Sequence, residues 1–195
     1  ILEFVTKPIL QPNQGKYSKY VSPICFRSET YWVEDFYQKE FPKLAQANPL
    51  RVALTFEQQL KHAIELTEKV IPNEYEKYVG LYWRSDIAKT LTDQSSSDAL
   101  DLLINGLLDS LDEVCKQDIE AGRQLLTNYL RSEHIIFKRI ALSTLQTYGI
   151  DFPDVLNEAL LQEEFLKIDE FTNEYQWLLK NQFNTASDVV KNQVI

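Results

Sequence analysis

From residue 98 onward, apolar positions recur at the spacing of one helix face. Leu100, Leu103, Ile104, Leu107, Leu108, Leu111, Val114 and Cys115 keep the i, i+3, i+4, i+7 rhythm and predict a helix with a greasy stripe. Ser96 or Ser97 would cap its start, and Asp98 complements the dipole there. A second run carries Ile119, Gly122, Leu126, Tyr129 and Leu130. Ser132 is the expected cap of a third, with Phe137, Ile140, Ala141, Thr144, Leu145 and Tyr148 as its seam. Ile135, Ile136 and Leu142 give that third helix a second apolar face, so it should lie between neighbours. Gly149 is expected in a left-handed helix stop, with Pro153 opening the next helix over Val155, Leu156, Ala159 and Leu160. A last clear helix runs from about Asp169, with Phe171, Tyr175, Leu178 and Leu179 on one side.

These starts fall near residues 98, 118, 133, 153 and 169, with a weaker one near 187. Every second start is separated by 34 to 36 residues, the length of a helix-pair repeat. The rhythm lies in element spacing and not in repeated residues. It predicts an all-α chain of stacked antiparallel helix pairs, a HEAT-like α-solenoid; an irregular helical bundle with similar helix lengths is the alternative.

The N-terminal half is less regular. Residues 6–27 hold three prolines and Gly15 and read as loop, following the end of a helix at Ile1. Ser28 or Glu29 opens a short helix with Tyr31, Trp32, Phe36 and Phe41. Asn48 and Pro49 start a long helix to about Ile71, with Phe56, Leu60, Ala63, Ile64, Thr67 and Ile71 as seam. Tyr75, Tyr78, Val79, Tyr82, Trp83 and Ile87 mark a helix with an aromatic face. No stretch alternates with period two over a strand's length. The organisation expected is residues 1–27 as helix end and linker, 28–91 as a helical part and 92–195 as the repeat part of one continuous helical domain.

Composition agrees with helices. Five Gly and seven Pro among 195 residues are about half the usual share of roughly 12%. Turn-rich β folds and glycine-dependent phosphate loops need more; neither GxxxxGK[ST] nor GxGxxG is present. The net charge of −9 argues against nucleic acid and against an anionic membrane surface, both of which call for basic stripes. The densest basic cluster runs only from Arg131 to Arg139, with Glu133 inside it. No apolar stretch approaches the roughly 20 residues that span a bilayer. Cys25 and Cys115 lie far apart in apolar contexts and are expected as reduced thiols of a cytoplasmic protein. With Ile1 first and no Met anywhere, the chain reads as a piece of a longer protein.

Candidate chemistry is sparse. His62 and His134 stand alone on their helices, and neither cysteine has a Cys or His within five residues, so no metal or cofactor is expected. Glu163 and Glu164 are adjacent and should point apart. Acidic residues such as Asp98, Asp101, Asp109 and Asp112 read as a solvated face, or as one that greets a basic partner. Gly80, Gly106 and Gly122 inside helices call for close packing against a neighbour. Trp83 and Arg84 are the candidates for partner contact, since Trp, Tyr and Arg dominate interface hot spots.

Two pairs of strings are similar to a known kind of protein. YWRSDI with DALDLLINGLLDSL, and YLRSEHIIFKRIALSTLQTYG with EFTNEYQWLLKNQF, resemble the helical repeat region of bacterial multidomain NACHT/STAND-type ATPases linked to phage defence. The resemblance covers about residues 75 to 183. It implies a HEAT- or tetratricopeptide-like superhelix acting as a sensor or scaffold. The ATPase motifs of that family are missing here, so no activity carries over to any residue. The function expected is therefore a protein-binding or scaffold module that recognises another protein or other domains of its own chain. One alternative is an enzyme with a pocket between helices, built from His62, His134, Arg84 and nearby carboxylates. Another is a helical-repeat nucleic-acid binder, which requires Arg131, Lys138 and Arg139 on one exposed groove.

Overall fold

The computed structural model describes residues 2–11, 23–27, 30–70, 86–87 and 99–194. These residues are mostly helical, as the periodicity predicts. They fall in two compact units: those within Ile1–Val79 and Lys89–Val114, and those within Gly80–Ala88 and Cys115–Ile195.

The first unit holds α1 (Leu2–Val5), β1 (Pro8–Leu10), β2 (Ile24–Phe26), α2 (Thr30–Lys39), α3 (Phe41–Ala47), α4 (Pro49–Val70) and most of α5 (Ala99–Gln117). β1 and β2 pair antiparallel with Ile9 opposite Cys25, which corrects the expectation of a plain loop over residues 6–27. Three-residue strands are too short to display alternation. They are held by burial instead, with Ile24 and Phe26 inside and α4 packed on the ladder. The short helix expected from residue 28 is split in two. Pro42 in the first turn of α3 has no N–H to donate back, so α2 ends at Lys39. Val33 and Tyr37 face inward on α2, whereas Trp32 is 62% exposed.

α4 starts at Pro49 as predicted and buries Phe56, Leu60, Ala63, Ile64 and Thr67 of its expected seam, Ile71 lying outside the described residues; the Asn48 side chain accepts from the Arg51 N–H at 3.4 Å. Phe56 on that seam meets the Phe41 ring edge-on, and Phe41 stacks on Tyr37. Tyr37 donates to Asp109 of α5 at 2.5 Å. Residues 99–107 of α5 are all buried, so Asp101, read above as solvated, is only 4% exposed, whereas Asp109 stays exposed. The expected caps at Ser96, Ser97 and Asp98 and the helix over residues 75–85, including Gly80, lie outside the described residues.

The second unit contains α6 (Ile119–Leu130), α7 (Ile135–Tyr148), α8 (Pro153–Leu161), α9 (Glu164–Lys167), α10 (Thr172–Gln182) and α11 (Asp188–Val194). Predicted starts and observed ones agree within three residues. The short α9 was not foreseen; its Phe165 is buried against Phe171 and Tyr175. α7, apolar on two sides, packs between α6 and α10, which buries both faces. α6 lies along α8, and α8 along α11. Hydrogen bonds set the directions. Arg139 reaches Glu174, and one helical stretch later Gln182 donates to the Gln146 carbonyl at 2.8 Å, so α7 and α10 run parallel. Arg123 meets Asp154 and Arg131 meets Glu158, so α6 and α8 run parallel too.

Two caps differ from expectation. His134, not Ser132, precedes α7; the Ser132 hydroxyl accepts from the His134 N–H at 3.2 Å, a local turn that ends before the helix starts. Gly149 is right-handed, with φ −54° and ψ −35°. Its reason is space: a Cβ there would sit 2.8 Å from the Leu145 carbonyl and 3.0 Å from the Gln182 side chain. Cys25 and Cys115 are both thiols.

Candidate functional site

The candidate site is a cleft of about 390 Å³ in the first unit, within the size range of small-molecule pockets. It is walled by α1, the residue that leads into β1, and one stripe of α4. Gln58, Lys61, His62 and Glu65 follow each other at helical spacing and therefore share a face. Glu3 of α1 and Lys7 face them across the cleft. The opposing wall is fixed in place by the Thr6 hydroxyl, which donates to the Leu2 carbonyl at 2.9 Å, and by the packing of β1 on α4. Gln59, one position round the helix and 5% exposed, completes the lining from the buried side.

The arrangement suits electrostatic recognition better than bond-breaking. Nδ1 of His62 is 3.7 Å from Glu65, too far for a hydrogen bond, and both side chains are well exposed. None of the seven described lining residues is a Ser, Thr or Cys, so His62 has no nucleophile there to activate. What the cleft does offer is both signs of charge and two carboxamides within one concavity.

His134 is elsewhere, in the second unit at the start of α7, with its ring 6.1 Å from that of Phe137. Trp83 and Arg84 lie outside the described residues. Just after them, Ile87 is fully buried and its N–H donates to Glu174 at 3.0 Å.

The basic cluster does not form one exposed groove. Arg131 forks onto Glu158 through two contacts of 2.9 Å, and Lys138 holds Glu164 at 2.8 Å. Arg139 is 1% exposed and locked to Glu174 by contacts of 2.7 and 3.1 Å. Glu163 turns to Lys167 while Glu164 turns to Lys138, so the adjacent carboxylates do point apart. Among the described residues no group of three His, Cys, Asp or Glu side chains is placed to hold a metal ion, and no helix is long and apolar enough to cross a membrane.

The inter-helix ties perturb their partners' titration. The hydrogen bonds it donates to Glu158, with that carboxylate's charge, raise the Arg131 guanidinium above its ordinary value. Burial pushes the Asp154 carboxyl up, but hydrogen bonds from Arg123 and the backbone together with the Arg123 charge outweigh it and leave the group below its ordinary value. A depressed carboxyl stabilises the fold above its unfolded pKa, and that contribution fades as pH falls through the folded value. Asp154→Asn is therefore expected to lose a few tenths of a kcal/mol at pH 7, the scale of a solvent-screened pair, and next to nothing near pH 2. Urea unfolding at both pH values checks it; an equal loss at both would assign the effect to packing.

Neither Arg139–Glu174 nor Gln59 was singled out from the sequence. The signal was there for the first: both residues sit on apolar seams, Arg139 between Ile136 and Leu142, Glu174 between Phe171 and Leu178. For the cleft, only the polar stripe on α4 was visible. Compared with protein-family models, with curated proteins and with solved structures, the chain matches none.

Proposed function

We propose that the second unit is a helix-pair repeat of HEAT- or tetratricopeptide-like type, and that the chain serves as a protein-binding, scaffolding or sensing module. The observation that supports this reading is the parallel run of alternate long helices, the four-residue α9 set aside. α6 lies along α8 and α7 along α10, and polar ties between them join residues 27 to 36 positions apart. That is the sequence distance at which successive helix pairs would stack. A helix pair cannot bury its apolar stripe alone. Stacking successive pairs buries it and leaves the outer edges as an extended surface for recognition.

Affinity capture from bacterial lysate with the full chain as bait tests the reading. One or a few proteins in near-stoichiometric yield are expected, lost on the W83A/R84A double substitution at unchanged melting temperature. Heparin at moderate salt is expected to retain nothing. Capture of no protein above a bare-bead control, or retention on heparin that accounts for the captured material, would overturn it.

A further inference from the structure

We propose that the second unit carries a socket for a short peptide with an aliphatic side chain, and that the chain's own Ile87 fills it as a releasable latch. The described residues on either side of Asp86 and Ile87, up to residue 70 and from 99 to 114, belong to the first unit. Asp86 and Ile87 belong to the second, whose remaining chain begins only at Cys115. Ile87 is therefore a visitor in a body built from a later, continuous stretch. It is fully buried, while Asp86 beside it is only half-buried, so the chain reaches the surface one residue away.

The acceptor that meets it is set in place by the helices themselves. Glu174 Oε1 accepts from the Ile87 N–H at 3.0 Å. The same oxygen takes Nη2 of Arg139 at 2.7 Å and Oε2 takes Nε at 3.1 Å, so the planar fork fixes the carboxylate's orientation. Gln146 of α7 donates to the Glu174 carbonyl at 3.2 Å and holds that turn of α10. Replacing a buried ion pair by apolar side chains of the same volume is often neutral or stabilising, so stability alone does not account for Arg139 and Glu174. A carboxylate aimed at a backbone N–H does. That contact reads the main chain of any residue except proline, and the room filled by Ile87 selects a branched aliphatic side chain. This inference does not rest on the scaffold reading, since a latch can open whether or not the outer helix edges recognise another protein.

Two measurements on the full chain test the latch. In the parent chain, hydrogen exchange followed by NMR is expected to show the Ile87 amide exchanging at least about tenfold faster than the slowest amides of α7 and α10, because the latch releases without unfolding the unit. Ile87→Ser then empties the socket. The labelled peptide RSDIAK, residues 84–89 with both ends blocked, should bind this variant saturably and the parent at least about tenfold more weakly, since there the socket is filled. The same peptide N-methylated at its isoleucine, which cannot donate to Glu174, should also bind the variant at least about tenfold more weakly. Should Ile87→Ser fail to fold, the exchange rate in the parent decides alone. An Ile87 amide as slow as the slowest of α7 and α10, no saturable binding to the folded variant up to concentrations on the order of 1 mM, or equal affinity for the N-methylated peptide or for the parent, would overturn the proposal.

Discussion

Replacing Arg139 by Leu is expected to destabilise the second unit by about 3–5 kcal/mol, the loss measured when one partner of a buried ion pair is removed. Arg139 and Glu174 are each 1% exposed, and the guanidinium engages both carboxylate oxygens, at 2.7 and 3.1 Å. Without it Glu174 keeps the Ile87 N–H at 3.0 Å as a donor, which is far from enough to hold an ionised carboxylate out of water. Whole domains are stable by roughly 5–15 kcal/mol, so the loss is a large share of the total. The double replacement by Leu at both positions is expected to recover most of it, because two apolar side chains of similar volume need no solvation. Arg139→Lys should recover little, since an ammonium cannot span both oxygens as the planar fork does. Guanidinium unfolding followed through Trp177, which sits on α10 itself, reads all three variants. A single variant within about 1 kcal/mol of the parent chain would mean that water reaches the pair, contrary to its burial.

The same residue shows where sequence reading works and where it stops. Helix positions in the second unit were legible because one face of each helix must leave water, and a 3.6-residue period records that demand directly. The two-sided α7 was legible for the same reason, and its place between α6 and α10 follows. Arg139 was grouped with Arg131 and Lys138 because a run of cations normally marks a solvated face. Its membership of the seam only gains meaning once Glu174, 35 positions on, is known to stand opposite. Such pairing is a property of two helices and leaves no mark in either alone. The β1–β2 ladder was invisible since its three-residue strands are stabilised by α4 and not by their own pattern. The cleft combines an α4 stripe that could be read with Glu3 and Lys7, whose distance along the chain hides their proximity.

Gly106→Ala is expected to cost about 1–3 kcal/mol, against the gain that helix propensity alone would forecast. An Ala in mid-helix is favoured over Gly by about 1 kcal/mol. At this position, however, a Cβ would stand 2.3 Å from Cε1 and 2.4 Å from Cζ of Phe56. That ring cannot swing aside cheaply. It is 1% exposed, and the Phe41 ring meets it edge-on with centroids 5.3 Å apart. Either α5 moves off α4 or the aromatic group repacks, and both outweigh the propensity gain. Gly122 provides the internal comparison. A Cβ there would meet the Phe152 ring at 3.1 Å and Cys115 Sγ at 3.3 Å, overlaps that a few tenths of an ångström relieve. Gly122→Ala should therefore fall within about 1 kcal/mol of neutral. Shrinking the obstruction identifies the cause: in Phe56→Leu the added methyl at residue 106 should be tolerated, with a coupling energy of about 1–3 kcal/mol in the double-mutant cycle. Additive losses in that cycle, or a stabilised Gly106→Ala, would show that α4 and α5 do not pack ring against backbone.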